Sequence, residues 1–405
     1  MAIDKDSYLQ SKRLAFLLGA GISQQAGVPS TYEITCRMLL GENVIRATDA
    51  TYYIQTPSNA VSTHEYLSRI LPFLAMLQAQ VARYYANWPG RQPNFEDLAY
   101  LANQIRDSEL DEFDNPALLP LFDLLRRDLV SLLARRNNDK ADWDIQKLAD
   151  ETANYIKDVE WRLLQQHQEK TDDQRLNYLK VFSDATRDTK WQGIDIFTVN
   201  HDTLLERHFN QQQLTFADGF GNQVGDVHFW EPHLFDDLTM RVRLYKLHGS
   251  IDWFELRMGN WLRPVRLIPT ADCWHINAGQ QQNIRAADGR PIMLVGTFDK
   301  MLRYTSDLHS ELFCRFRTSL SDTERLIVCG YSFRDKGINS QIVEWLNTSN
   351  ERRLIVVHDD EQKLRQNSRG AINNNWDNWR NSNRLVIIGS RIGQVSWNQI
   401  VCSIA

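Results

Sequence analysis

Six short, almost continuously apolar runs constrain this chain more than any other feature of its sequence. They are Leu14 to Leu18, Ile194 to Val199, Leu244 to Leu247, Leu326 to Val328, Leu354 to Val357 and Leu385 to Ile388. A strand with one face in water alternates apolar and polar residues. A run that is apolar throughout has both faces buried, as in a parallel sheet covered by helices on either side. Helical patterns follow four of the six: Gln25 to Leu40, Thr203 to Phe209, Ile338 to Leu346 and Glu361 to Gln366. This alternation predicts a doubly wound α/β fold with a mainly parallel six-stranded sheet, binding its ligands at the carboxyl ends of the strands.

The pattern is interrupted once on a large scale. Between Gly41 and Lys190 the sequence reads as amphipathic helices, among them His64 to Tyr85, Phe95 to Ile105, Leu118 to Ala134 and Trp143 to Gln168. The expected organisation is a Rossmann-like catalytic domain from residues 1–40 and 191–405, with residues 41–190 a helical insertion serving as a lid or oligomer contact. Met258 to Arg290, rich in Gly, Pro, Asn and Gln, reads as loops with short strands.

Charge and cysteine usage exclude several classes. Lys and Arg number 46 against 51 Asp and Glu, a formal charge of -5, so no general attraction to nucleic acid or an anionic membrane is expected. The cysteines Cys36, Cys273, Cys314, Cys329 and Cys402 are scattered, without a C-x-x-C pair. That spacing suits neither a zinc ribbon nor a disulfide framework, and fits a reducing compartment. Met1 to Asp6 has no apolar signal core, and no run approaches the roughly 18 to 20 apolar residues of a membrane span. The expectation is a cytoplasmic protein that binds neither membrane nor nucleic acid directly.

The polar residues at the strand ends carry the candidate chemistry. Gly19-Ala20-Gly21-Ile22-Ser23 follows the first run. Its glycines let backbone N–H groups approach a diphosphate closely, although a tight turn that binds nothing uses the same residues. Thr198-Val199-Asn200-His201-Asp202 ends the second run; Asp202, just before a helical pattern, also suits a helix cap. Leu247-His248-Gly249-Ser250 ends the third. A lone histidine is more often structural, but one at a strand end is placed for general-base work on a hydroxyl. Cys329-Gly330-Tyr331-Ser332-Phe333-Arg334-Asp335 ends the fourth, with Ile338-Asn339 opening the next helix. Gly330 and Ser332 read as a second backbone nest, or as another plain turn.

In this order the four motifs, G-A-G-x-S, T-x-N-x-D, L-H-G and G-Y-S-F-x-D…I-N, resemble the sirtuin family. More narrowly, they resemble its bacterial sirtuin-like NADase branch, which lacks the zinc module. The resemblance covers about residues 12–40 and 191–390, leaving out the helical insertion.

The resemblance implies NAD as substrate, no zinc, and cleavage of the nicotinamide–ribose bond through an oxocarbenium-like transition state. Asn200 would hold the nicotinamide ribose and order the attacking water, and His248 would act as general base. Ala20, Gly21 and Ser23 would cradle the diphosphate with Gly330 and Ser332, and Gly19 and Asn339 would belong to the same cofactor-binding set. Asp202 would contact the nicotinamide carboxamide, and His358 stands where relatives carry an adenine-ribose contact, usually Asn. Deacylating sirtuins have G-I-P-D-F-R where this chain has Gly27-Val28-Pro29-Ser30-Thr31-Tyr32, so the Phe and Arg that orient NAD there are missing. The implied activity is therefore hydrolysis of NAD, in an NAD-depleting anti-phage effector. The implied assembly is a homo-oligomer partnered by a HerA-type hexameric ATPase. The alternatives are a sirtuin-type deacylase or ADP-ribosyltransferase, and a non-catalytic NAD- or ADP-ribose-sensing subunit.

Overall fold

The computed structural model describes residues 13–54, 64–88, 90–112, 116, 119–136, 142–296, 304 and 307–404. Met1 to Asp6 and Leu118, used in the sequence reading, lie outside them. All six apolar runs are strands: β1 (Arg13–Leu18), β2 (Gly193–Thr198), β3 (Val242–Lys246), β4 (Arg325–Cys329), β5 (Arg353–Val357) and β6 (Leu385–Ile388). They form one sheet in the order β6-β5-β4-β1-β2-β3, every pair parallel. Read from its other edge, this is the 3-2-1-4-5-6 order of dinucleotide-binding sheets.

Continuous apolarity has the expected cause. On one face, Ala15, Leu17, Leu326, Val328, Leu354 and Val356 pack with Leu312 and Phe316 of helix Asp307–Ser321 and with Ile338 and Ile342 of helix Lys336–Asn347. On the other, Phe16 meets the Phe182 ring edge-on at 5.6 Å and Trp397 at 6.2 Å. Neither face of β1 reaches water, so no polar residue is tolerated between Leu14 and Leu18.

The strands end level. Leu18 lies beside both Thr198 and Cys329, Thr198 beside Lys246, and Cys329 beside Val357. The residues that follow all leave from the same edge, which brings together motifs that are hundreds of residues apart in sequence.

A second sheet was only partly legible. Phe220–Val224, Val227–Trp230, Trp261–Leu267 and Trp253–Met258 form an antiparallel four-stranded sheet in that order, and Ile276–Ala278 pairs with Gln281–Ile284. Its rings Phe220, Trp230 and Trp253 lie 5.0–6.0 Å apart, and Trp230 reaches Phe235. Phe235 stacks at 4.3 Å on Tyr245 of β3, which stacks at 4.6 Å on Phe197 of β2. The Met258 to Arg290 reading anticipated some of these strands but none between 220 and 230.

Two compact units are present: residues 1–28, 167–294 and 300–405, and residues 29–166 with 295–299. The second is mainly helical, with one antiparallel strand pair, Val44–Arg46 and Tyr52–Ile54, and has Ile34, Met38, Phe73, Leu77, Leu98, Leu125, Leu148 and Tyr155 in its core. Within it Arg46 pairs with Glu151 at 2.7 Å, and the buried Arg69 donates to the carbonyls of Leu132 and Ala134, where helix Leu119–Leu133 ends. Its limits differ from the expected 41–190, because Ile34 and Met38 of helix Thr31–Leu40 pack into this core.

One helix is corrected. Gln25 to Leu40 is not continuous: a 3-10 helix, Ala20–Ala26, stops at Gly27, and an α-helix begins at Thr31. Gly27 has φ +88, Pro29 follows, and Ser30 and Glu33 cap the new helix reciprocally. Left-handed backbone followed by proline ends a helix, and the capping box starts the next. Among the described residues no helix is long and apolar enough to cross a membrane.

Candidate active site

β1 and β4 lie at the point where strand order reverses, so the turns leaving them flank the crevice in which ligands bind in such sheets. Here the two turns dock on each other through backbone. The Gly19 N–H donates to Cys329 O at 3.0 Å, and the Gly21 N–H to Gly330 O at 2.9 Å. A Cβ on Gly330 would sit 2.4 Å from Ile22 N and 2.8 Å from Gly21 C, and Gly330 itself has φ +65. The glycines are thus required twice, for a left-handed turn and for backbone-to-backbone contact. Gly19 and Gly21 shape the floor of the crevice rather than offering their N–H groups to a ligand. Ala20, between them, is exposed.

Above this floor the β2 turn folds inward. The Asn200 amide nitrogen donates to Gly19 O at 3.2 Å and to Ser23 Oγ at 3.0 Å. Ser23 Oγ donates onward to Asp202 Oδ2 at 2.7 Å, and Asp202 Oδ1 accepts the Leu204 N–H at 3.2 Å. Asp202 therefore closes a turn onto the first residue of helix Leu204–Gln211 as well as anchoring Ser23, and both its oxygens are engaged. With its nitrogen doubly committed, Asn200 can present only its oxygen elsewhere. That Oδ1 is buried and accepts no hydrogen bond among the described residues. A buried, unpaired amide oxygen costs about 1–3 kcal/mol, and it is relieved by any donor that enters beside it.

The turn is held from below by charge. Lys246, the last residue of β3 and 2% exposed, donates to the Asp202 carbonyl and pairs with Glu206 Oε1 at 2.8 Å. Burial pushes the Glu206 carboxyl up, against the pull of Lys246. Burial also opposes the charged Lys246, but Glu206, Asp252 and Asp202 around it leave its pKa raised. The ammonium therefore stays charged and clamps the start of helix Leu204–Gln211 to the sheet.

His248 leaves β3 beside this turn, its ring 6.2 Å from that of His201. It is 3% exposed. Its Nε2 lies 2.7 Å from the Tyr304 hydroxyl and 3.3 Å from Asp335 Oδ2, and Tyr304 donates to that same oxygen at 3.1 Å. Asp335 closes the G-Y-S-F-x-D motif, where the resemblance assigns it no role, and Tyr304 lies in none of the four motifs. No local pattern marks Tyr304; only the fold brings it to His248.

The remaining candidates divide. Asn339 is spent inside its own loop, accepting from Tyr331 at 3.0 Å and donating to Phe333 O at 2.7 Å. Phe333 has φ +54, a left-handed conformation rare for an aromatic residue, and its carbonyl is held by Asn339 and the Arg369 N–H. Asn339 thereby fixes the shape of the turn carrying Gly330 and the exposed Ser332. His358 follows β5 at the same sheet edge and accepts the Asp360 N–H at 2.9 Å. Among the described residues no group of three or more His, Cys, Asp or Glu side chains could hold a metal ion.

The chain is similar to solved structures of a Sir2 homologue with NAD (11% identity, covering 99% of this chain and 94% of that one, TM-score 0.40). It is also similar to a mutant Sir2 homologue with ADP-ribose (12% identity, covering 99% and 96%, TM-score 0.38). No curated protein matches the sequence. Residues 195–384, a span that includes Asn200, Asp202, His248, Gly330, Ser332, Asp335 and His358 but not the β1 turn, match the family model of the SIR2-like domain.

Proposed function

We propose that the chain is a sirtuin-like NAD hydrolase that converts NAD and water to nicotinamide and ADP-ribose. The observation that carries the reading is the orphaned oxygen of Asn200, buried at the carboxyl edge of a doubly wound sheet in a turn whose next residue, His201, has its ring 6.2 Å from that of His248. An acceptor with no partner suits a ribose hydroxyl or a water, each of which brings a proton to donate. From His248 on β3 to His358 on β5 is four strand spacings, about 19 Å, a length suited to an extended dinucleotide. The SIR2-like domain match over the same strand ends supports this assignment.

The residues divide the work accordingly. The docked β1 and β4 turns, with Ala20 and Ser332 exposed on them, line the diphosphate. Ser23 and Asp202 hold the Asn200 amide so that its oxygen faces the ribose and orders water beneath it. The N-glycosidic bond breaks with its electron pair leaving on neutral nicotinamide, and water adds its oxygen at the ribose C1′. The proton that water loses passes through His248 to solvent.

Hydrolysis is favoured over deacylation because Gly27 to Tyr32 forms a turn and a capped helix start, without the Phe and Arg of deacylating relatives. On the same reading the chain works as a homo-oligomer gated by a HerA-type ATPase during phage infection. The test is incubation of the full chain with NAD, with and without an acyl-lysine peptide and with and without the ATPase. Nicotinamide release that needs no peptide supports hydrolysis, and release only with peptide assigns deacylation. Intact NAD in every arm removes the proposal.

A further inference from the structure

Outside the residues named above as binding or ordering the substrate, the most specific cluster in the molecule is the one behind His248. Tyr304 Oη lies 2.7 Å from Nε2, and Asp335 Oδ2 lies 3.3 Å from Nε2 and 3.1 Å from Tyr304 Oη. All three are deeply buried, the side chains of His248 and Asp335 being 4% and 6% exposed and Tyr304 6%. A carboxylate here needs a reason. One oxygen, Oδ1, accepts the Ile338 N–H at 3.0 Å and caps helix Lys336–Asn347. A cap needs no more than one acceptor and is served as well by Asn. The second oxygen is turned to the histidine and the tyrosine.

We propose that Asp335, with Tyr304, is the positioning pair of the general base: together they orient the His248 ring and stabilise the imidazolium it becomes on taking a proton. The chemistry follows from donors and acceptors. A carboxylate only accepts, so the Tyr304 hydroxyl donates to Oδ2 and leaves its own oxygen to accept from Nε2–H. That network selects the tautomer with the proton on Nε2. When the ring accepts a second proton, the positive charge lies 3.3 Å from Asp335 Oδ2 in a buried site, where an opposite charge favours the charged form. Among the described residues, the other titratable side chains about this turn are His201, whose ring centroid is 6.2 Å away, His309, which approaches Leu247 O at 3.2 Å, and the Glu206, Asp252 and Asp202 carboxyls gathered round Lys246. Asp335 is the carboxylate whose oxygen lies 3.3 Å from Nε2, and so the group that favours the imidazolium.

The proposal rests on the hydrolase reading for its role in turnover, and the experiment separates the two. Asp335→Asn keeps a helix cap and removes the charge; Tyr304→Phe keeps the ring and removes the hydroxyl. In the full chain, Asp335→Asn is expected to lower kcat by about 10²-fold or more with little change in KM. It should also move the acid limb of the kcat/KM profile to lower pH by about one unit. Tyr304→Phe is expected to lower kcat by about tenfold, with a smaller displacement of the limb. Nuclear magnetic resonance titration of the His248 imidazole in wild type and Asp335→Asn gives a readout independent of turnover. A fall in its midpoint by about one unit supports the pairing even if NAD is never cleaved. An unchanged midpoint, or Asp335→Asn turning over NAD with the wild-type pH profile, overturns it.

Discussion

Replacing Asn200 with alanine separates the two things this side chain does. The substitution removes two hydrogen bonds, from Nδ2 to Gly19 O and to Ser23 Oγ, each worth about 1 kcal/mol net. It also removes the buried unpaired Oδ1, whose desolvation costs about 1–3 kcal/mol. Ser23 keeps its bond to Asp202 at 2.7 Å, so the turn retains its anchor. The two effects nearly cancel, and folding stability should stay within about 1 kcal/mol of wild type, a melting shift below about 4 °C. Loss of the ordered water should meanwhile lower turnover by about 10²-fold or more. The assay is thermal unfolding by circular dichroism and chromatographic measurement of nicotinamide on the same sample. A melting point lower by about 10 °C, with turnover per folded molecule unchanged, would show Asn200 to be a structural tie and refute the reasoning.

Three further outcomes follow from the same geometry. Gly330→Ala places a Cβ 2.4 Å from Ile22 N at φ +65, so chemical denaturation should reveal a loss above about 2 kcal/mol; a loss under half of that would mean the two turns are not locked together. Lys246→Met leaves Glu206 and Asp252 without their buried cation and should cost about 3–5 kcal/mol. Adding Glu206→Leu should restore most of it, and a double variant no more stable than the single one would contradict the clamp. Burial, helped by Arg187, pushes His208 down to about 4 from 6.5, so the unfolded chain binds the extra proton between those values. This contribution is fully present above about pH 6.5 and is lost as pH falls towards 4, about 3 kcal/mol in all. His208→Gln should flatten that part of the stability profile, and an unchanged profile would remove His208 as its source.

The parallel sheet was legible because burial on both faces leaves an unambiguous trace, and β1 to β6 each match an apolar run within two residues at either end. The level strand ends then placed Asn200, His248 and Gly330 together without further information. The strands between Phe220 and Trp230 left no such trace: Gly221, Asn222 and Gln223 are solvent-facing or partly so, and the strand packs through Phe220 alone. The break at Gly27 and Pro29 was written in the sequence but was outweighed by the helical periodicity on either side. The role of Asn339 rests on side-chain bonds within its own turn, and those of Tyr304 and Asp335 on contacts between loops, such as Tyr304 with His248, 56 positions apart. Local pattern carries no record of those.

The most direct measurement is the product balance of the purified chain with NAD, for wild type and for Asn200→Ala and His248→Ala. The site described here predicts nicotinamide and ADP-ribose in equal amounts from wild type, with or without an acyl-lysine peptide, and only residual amounts from either variant. Intact NAD from wild type in the presence and absence of the proposed ATPase partner, or undiminished hydrolysis by both variants, would contradict it.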